Sequence, residues 1–222
     1  MTEHTISSLH TYSFLDRINH YFPHLTEQQR TQFETLLRLY PDWNQRINVI
    51  SRKDIENLEV NHVLHSLALA RFLPWVPGTR VLDLGTGGGF PGIPLAVMFP
   101  DVQFHLVDRI GKKLRVAQDV AQQAGLQNVT FQHGDIKEVK GEVDFVVSRA
   151  VMPLADMVPL VRRLISPVGH NGLPNGLICL KGGDLQSELQ PFKRTALVDD
   201  LRNYFEEPYF ETKKIIYLPL HR

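Results

Sequence analysis

The residues best placed to do chemistry lie in the stretch VLDLGTGGGFPG. There Gly85, Gly87 and Gly89 follow a short apolar run and precede a segment that Pro91 can start as a helix. Glycines so spaced let the backbone turn sharply and approach a ligand with no Cβ in the way. A second apolar run ends at Asp108, close to the ~20 residues at which a nucleotide-binding βαβ unit places a carboxylate for ribose hydroxyls. Loop and acid together point to an adenosine compound. A phosphate loop is excluded, because no Lys-Ser or Lys-Thr pair follows the glycines. A dinucleotide fingerprint fails as well, since Phe90 stands where a small residue must permit close helix-to-strand packing. Further along, HGDIKE follows another apolar run. Asp135, Ile136 and Lys137 there either border the adenine, as residues at the carboxyl ends of parallel strands do, or form an ordinary surface turn.

A parallel sheet is needed to bring these residues together, and the remaining pattern supplies one. RVLDLG, VQFHLVD, NVTFQ, VDFVVS and GLICLKGG alternate with the helical segments PGIPLAVMF, Lys112–Ala124 and Leu154–Ile165. Such alternation predicts an α/β, Rossmann-like fold: a mostly parallel sheet with helices on both faces. Leu201–Phe205 and Lys213–Leu220, joined by a turn at Glu207-Pro208, are expected as an antiparallel edge pair. Ser166–Gly176 reads as a long flexible loop. Ahead of the sheet, residues 9–73 read as helical. A capping box at Thr26–Gln29 opens a helix with Phe33, Leu36, Leu37 and Tyr40 on one face, which Pro41 ends. The connector YPDWNQRINVIS leads to a second helix from about Asp54 to Leu73. Pro74, Pro77 and Gly78 then divide an N-terminal helical region, 1–75, from a domain spanning 76–222.

Composition narrows the function. Hydrophobic residues make up 43% and charged residues 22% of the 222, which excludes a disordered or collagen-like chain. Lys plus Arg equal Asp plus Glu at 24 each, so no global basic field exists, although a local patch suffices to hold a few phosphates. No apolar run nears the ~18–20 residues that cross a bilayer, and the N-terminus lacks the basic and apolar regions of a secretion signal. A cytoplasmic protein is expected. Its single cysteine, Cys179, fits a reducing compartment and excludes a cysteine-rich metal site. His62 and His65 stand a helical turn apart with no third ligand, so they are read as packing or capping residues; no metal is expected.

The D-x-G-x-G-x-G pattern from Asp83 to Gly89 resembles motif I of S-adenosylmethionine (SAM) dependent methyltransferases. SAM carries a sulfonium and no phosphate, which suits a neutral glycine loop flanked by carboxylates. The likeness then extends over roughly residues 20–190. WNQRINVIS, HVLHS, DLGTGGGFPGIPLA, GKKLRVAQDV, SRAVMPL and LKGG occur in the order found in the glucose-inhibited division protein B family, small-subunit ribosomal RNA methyltransferases. The resemblance implies transfer of methyl from SAM to N7 of one guanine in 16S rRNA, with naked RNA or the small ribosomal subunit as partner. It also implies that Gly85, Phe90, Ile136, Lys137 and Arg149 lie where that family contacts its cofactor. This chain departs from the family at His65, where aspartate is more usual, and in its long Ser166–Gly176 loop.

Guanine N7 presents a lone pair and no proton, so its methylation needs positioning and no general base. The sequence is consistent with that: Ser148-Arg149-Ala150 replaces the Asn/Asp-Pro-Pro-Tyr motif of amino-group methyltransferases, and Cys179 falls inside a strand, against cytosine C5 chemistry. Arg149 is the candidate catalytic residue. It could orient the methionine carboxylate, reach guanine O6, or form a structural salt bridge with Asp83 or Asp108. Arg162, Arg163, Lys181, Lys193 and Arg194, with Arg46, Arg52 and Lys53 from the N-terminal region, are candidate phosphate contacts. Two other readings remain: a small-molecule methyltransferase with a helical lid, and a SAM-binding module without turnover. A monomer is expected.

Overall fold

Arg80–Leu84, RVLDL, forms strand β1 and is buried at four consecutive positions, the pattern of a strand covered on both faces. The computed structural model describes residues 15–149 and 151–220; residues 9–14 of the expected helical region and Ala150 lie outside them. Around β1 the sheet adds β2 (Gln103–Asp108), β3 (Val129–His133), β4 (Phe145–Arg149), β5 (Gly176–Gly182), β6 (Leu197–Asp200) and β7 (Lys213–Pro219). Their order is β3-β2-β1-β4-β5-β7-β6; the first five strands are parallel, and β7 runs antiparallel between β5 and β6. The strand order reverses between β1 and β4, so a crevice opens there at the carboxyl ends of the strands.

Helices α4 (Gly92–Met98), α5 (Gly111–Gln123) and α6 (Leu154–Val161) follow β1, β2 and β4. Leu154, Met157, Val158 and Val161 of α6 build the apolar layer on one face of the sheet with Leu82, Val146 and Leu177. The other face is covered by α4, α5 and the N-terminal helices. There Phe33, Leu36, Tyr40, Leu64 and Leu67 share one core with Val81, Ile93, Phe104 and Phe145.

Helix α1 (Asp16–Tyr21) precedes α2 (Glu27–Asn44), whose expected capping box is present: the Thr26 hydroxyl accepts from the Gln29 amide, and the Gln29 side chain accepts from the Thr26 amide. Pro41 does not end this helix, which runs one turn further. The Pro41 carbonyl accepts the Gln45 amide at 3.3 Å, and Trp43, in that last turn, donates its indole N–H to Asp119 Oδ2 at 2.7 Å. Tertiary anchoring thus outweighs the one backbone bond a proline removes. The helix expected over 54–73 is present as three pieces: a 3₁₀ turn at Ile55–Asn57, a π-helical stretch at Leu58–Leu64, and α3 (His65–Phe72).

Two further expectations are corrected. The penultimate strand is Leu197–Asp200, and Leu201–Asn203 is a 3₁₀ turn. Asp200 caps that turn by accepting the Arg202 amide, and Leu201 and Phe205 are both buried at a helical spacing of four. The Ser166–Gly176 segment is also not a loose loop. Asn175 Nδ2 donates to the Ser166 and Val168 carbonyls at 2.9 Å each, and Asn171 Oδ1 accepts from the Val76 amide and the Thr79 hydroxyl at 3.1 Å each. Among the described residues, no helix is long and apolar enough to cross a membrane.

Asn44, at the end of α2, fixes the connector after it. Its Oδ1 accepts the amides of Val49 and Ile50, and its Nδ2 donates to the Ile50 carbonyl, all at 2.9 Å. Replacing Asn44 by Ala strands these half-buried groups, and the expected cost is about 1–3 kcal/mol of stability in denaturant unfolding. An unchanged midpoint would show that the clamp is dispensable.

Candidate functional site

The turn after β1 is organised by one buried carboxylate. Asp83 is 0% exposed, and its Oδ2 accepts the Thr86 hydroxyl at 2.6 Å and the Gly92 amide at 2.8 Å. It therefore joins the entry of the glycine turn to the start of α4. Burial raises its carboxyl to about 7, against the lowering pull of those two donors. Its other oxygen, Oδ1, is buried without a partner. Gly92 is a position of close helix-to-strand packing: a Cβ there would lie 2.8 Å from both Asp83 Oδ2 and Leu106 Cδ1. The small residue that Phe90 denies to a dinucleotide fingerprint is thus supplied two positions later.

Gly87 has φ +58°, and a Cβ placed on it would meet nothing within 4 Å, so the turn stands open above this residue. Its amide donates to Asp108 Oδ2 at 2.6 Å, and Asp108 Oδ1 accepts the Ile110 amide at 2.7 Å. The carboxylate at the tip of β2 thereby faces the glycine turn and keeps lone pairs for further donors. Gly85 lies beneath Val151, which follows β4: a Cβ at Gly85 would fall 2.5 Å from Val151 Cγ2. Gly88 and Gly89 are covered from the N-terminal side. Val49 and the Tyr40 hydroxyl would be 2.9 and 3.0 Å from their respective Cβ positions, and Tyr40 donates to the Gly88 carbonyl at 2.7 Å.

Beyond β3, Asp135 pairs with Arg109 and accepts the Lys137 amide at 2.9 Å, an arrangement that holds its carboxyl below the usual range. The Gly134 amide donates to the Asp108 carbonyl at 3.1 Å, so Asp108 and Asp135 border the same end of the sheet. Ile136 is 3% exposed and its side chain belongs to the core on the α6 face; Lys137 is exposed.

At the end of β4, Ser148 donates to the Leu84 carbonyl at 2.9 Å, tying β4 to β1 beside the turn. Arg149 follows, half-buried. Among the described residues no carboxylate comes within 4.0 Å of its guanidinium, which sets aside a salt bridge to Asp83 or Asp108. It donates instead to His62 Nδ1 at 3.0 Å and stands over the Phe90 ring, 5.1 Å from the centroid. Phe90 is 3% exposed and also packs on Tyr40, ring centroids 4.6 Å apart. His65 hydrogen-bonds the Tyr209 hydroxyl at 3.1 Å. His62 has both ring nitrogens engaged and His65 its Nδ1, and among the described residues no cluster of three or more His, Cys, Asp or Glu could hold a metal. Cys179 is fully buried in β5, which pushes its thiol up to about 12 and makes it no nucleophile.

The candidate phosphate contacts separate into two groups. Lys181 is tied to Glu188 at 2.5 Å and to the Met152 carbonyl at 2.8 Å, and Arg163 donates to the Ile136 and Val139 carbonyls. The Leu164 carbonyl accepts the Val143 amide just before β4 begins, which places Arg162 and Arg163 at the far end of the sheet from the crevice. Arg46, Arg52 and Lys53, in contrast, are exposed on the connector that Val49 presses against the glycine turn. A cavity of about 460 Å³ there is lined by Asn44, Arg46, Asn48 and Arg52 and by no carboxylate. Sequence reasoning passed over Tyr40, Val49 and Asp54. Val49 lies inside the WNQRINVIS segment, whose Trp43 and Asn44 prove to be anchors, and Tyr40 and Asp54 flank it.

Residues 29–214 match the family model described as rRNA small subunit methyltransferase G. A protein of Bacteroides thetaiotaomicron named ribosomal RNA small subunit methyltransferase G is 61% identical over 197 residues, covering 89% of this chain and 96% of that one. Its namesake in Phocaeicola vulgatus is 57% identical over 206 residues, covering 93% and 99%. Among solved structures, magnesium protoporphyrin IX methyltransferase from Synechocystis PCC 6803, with bound SAM, superposes with TM-score 0.57 at 16% identity, covering 87% of this chain and 97% of that one. A SAM-dependent O-methyltransferase from Thermotoga maritima gives TM-score 0.56 at 14% identity, covering 76% and 71%. These structures share the Rossmann-like methyltransferase fold.

The raised Asp83 carboxyl makes a signed prediction. Between the ordinary carboxylate value and about 7 the folded chain holds a proton that the unfolded chain has lost, so this residue's contribution to stability falls as pH rises through that window. Relative to wild type, Asp83→Asn should therefore gain stability by roughly 3–4 kcal/mol between pH ~4 and ~8 in denaturant unfolding. Parallel pH curves for the two proteins would place Asp83 at an ordinary carboxylate value.

Proposed function

Because the chain belongs to the small-subunit ribosomal RNA methyltransferase G family, we propose that it transfers the methyl group of SAM to N7 of one guanine in 16S rRNA. The observation that carries the cofactor assignment is the open glycine turn at Gly87 with the Asp108 carboxylate drawn against it. A backbone cradle plus an acid without a phosphate-binding lysine suits a sulfonium nucleoside. Asp108 would take the ribose hydroxyls, the segment around Asp135–Lys137 would border the adenine, and Gly85, Gly87 and Gly89 would line the turn. Region 1–75 would serve RNA docking and 76–222 the chemistry, in a cytoplasmic monomer.

Bound there, SAM supplies an electrophilic methyl group, and N7 can accept it through its lone pair without losing a proton. The protein's share of the barrier is then orientation and charge. Backbone rigidity around the turn fixes the donor side, where Asp83 holds both ends of the turn and Tyr40 holds Gly88. The carboxylate of Asp108 favours the positive charge that passes from sulfonium to guanine. On the acceptor side, Arg46, Arg52 and Lys53 offer cations to RNA phosphates beside the same turn.

Asp108→Asn should weaken SAM binding, measured calorimetrically without RNA, by about 1–3 kcal/mol. Equal affinities would remove Asp108 from the site. Incubation with radiolabelled SAM and 30S particles or extracted RNA, followed by mapping of the labelled base, tests the reaction itself. Label in a small molecule only, or binding without transfer, would favour the lid-bearing small-molecule enzyme or the non-catalytic module.

With no base to titrate, the single-turnover rate at saturating RNA should be nearly flat from about pH 6.5 to 9. Asp83 is the neighbouring group placed to ionise in that window, so Asp83→Asn is the control. An acid limb that survives in this variant would indicate base-assisted chemistry on another atom. RNA affinity should fall steeply with salt, and Arg46→Ala with Arg52→Ala should reduce that slope; an affinity indifferent to salt would count against a nucleic-acid substrate.

A further inference from the structure

A guanidinium offers five N–H donors and no acceptor, and burying it without a carboxylate is costly. Arg149 is nevertheless held at the crevice by uncharged groups: His62 Nδ1 at 3.0 Å, the Asn61 carbonyl at 3.5 Å and the face of Phe90. Because Arg149 can only donate, His62 Nδ1 must be bare, and the ring proton must sit on Nε2. That Nε2 meets Asp54 Oδ2 at 2.9 Å, while Asp54 Oδ1 accepts the Asn61 side-chain amide. The partners on both sides therefore fix one tautomer, in which Asp54 receives from His62 and His62 receives from Arg149. Burial and the Arg149 charge lower His62 to about 4, which keeps the ring neutral at ordinary pH. Asn61 and His62 both lie in the π-helical stretch, an irregularity common at functional sites, and the edge of the His62 ring packs on Phe90 at 5.3 Å between centroids.

We infer that Asp54 and His62 are positioning residues that hold Arg149 for the carboxylate of the methionine moiety of SAM. The inference rests on the proposed cofactor. A half-buried cation standing on the residue that ends the glycine turn, with donors to spare and no carboxylate within 4.0 Å among the described residues, is built to receive one. The adenosine half of the cofactor is accounted for by Asp108 and its neighbours, which leaves the amino-acid half for this end of the crevice. Asp54 lends its charge through a neutral ring, so Arg149 stays oriented without being neutralised by a direct ion pair.

The test compares S-adenosylhomocysteine with 5′-methylthioadenosine, which shares the thioether nucleoside but lacks the carboxylate. An Asn amide can put its oxygen where Nδ1 stands, and a Gln amide reaches only the Nε2 position. His62→Asn therefore keeps an acceptor for Arg149, and His62→Gln does not. Calorimetry should show His62→Gln binding S-adenosylhomocysteine about tenfold or more weakly, with His62→Asn and Asp54→Asn affected less, and methylthioadenosine affinity unchanged in all three. Parallel losses for both ligands, or equal effects of His62→Asn and His62→Gln, would reduce these residues to structural packing. The Asp54 side chain is 35% exposed and Asp54→Asn is nearly isosteric, so this variant carries the two-ligand comparison even if His62→Gln fails to fold. Should wild type bind neither ligand, the cofactor reading itself falls; binding of both with no preference for the carboxylate overturns this inference alone.

Discussion

Two hydrogen bonds to one buried oxygen hold the functional end of this molecule together. By accepting from Thr86 and Gly92, Asp83 Oδ2 ties both ends of the glycine turn to the central strand. The turn's amides are then fixed before any ligand arrives, and α4 starts close enough to β1 and β2 that only glycine fits at its first position. The arrangement costs desolvation, visible in the raised Asp83 carboxyl and its unpartnered second oxygen.

From that fixed turn, constraint passes outward in both directions. Toward the sheet, Gly87 draws Asp108 inward and Ser148 locks β4 against β1. Toward the N-terminus, Tyr40 and Val49 close over Gly88 and Gly89, and Trp43 reaches α5. The exposed cationic connector and the glycine turn are separated by one layer of side chains, with Val49 lying against Gly88.

Much of this was legible in the sequence. Continuous apolar runs alternating with helices revealed the parallel sheet, and the glycines and Asp108 marked the turn and the strand tip that meet at its carboxyl end, because both signals are local. What escaped was long-range. Pro41 inside α2 is tolerated because of Trp43 and Asp119, residues 76 apart in sequence. Leu201–Phe205 has strand-like composition, yet the Asp200 cap and a spacing of four make it a turn. Lys181 reads as a free surface cation until Glu188 and the Met152 carbonyl come beside it. His62 shows no metal partner in the sequence, and its two actual partners, Asp54 and Arg149, lie on different elements.

The core that Phe33, Leu36 and Leu64 share with Val81, Ile93 and Phe104 has an implication for how such a protein can change over time. An appendage joined by a hinge can be traded between lineages as a cassette, leaving the catalytic body intact. Here the helices beside the connector share one interior with α4, α5 and the sheet, so their removal would open that core and expose the glycine turn's outer side. Change in this region must then arise by point substitution on the exposed rim of the connector, while the buried stripe beneath it is kept.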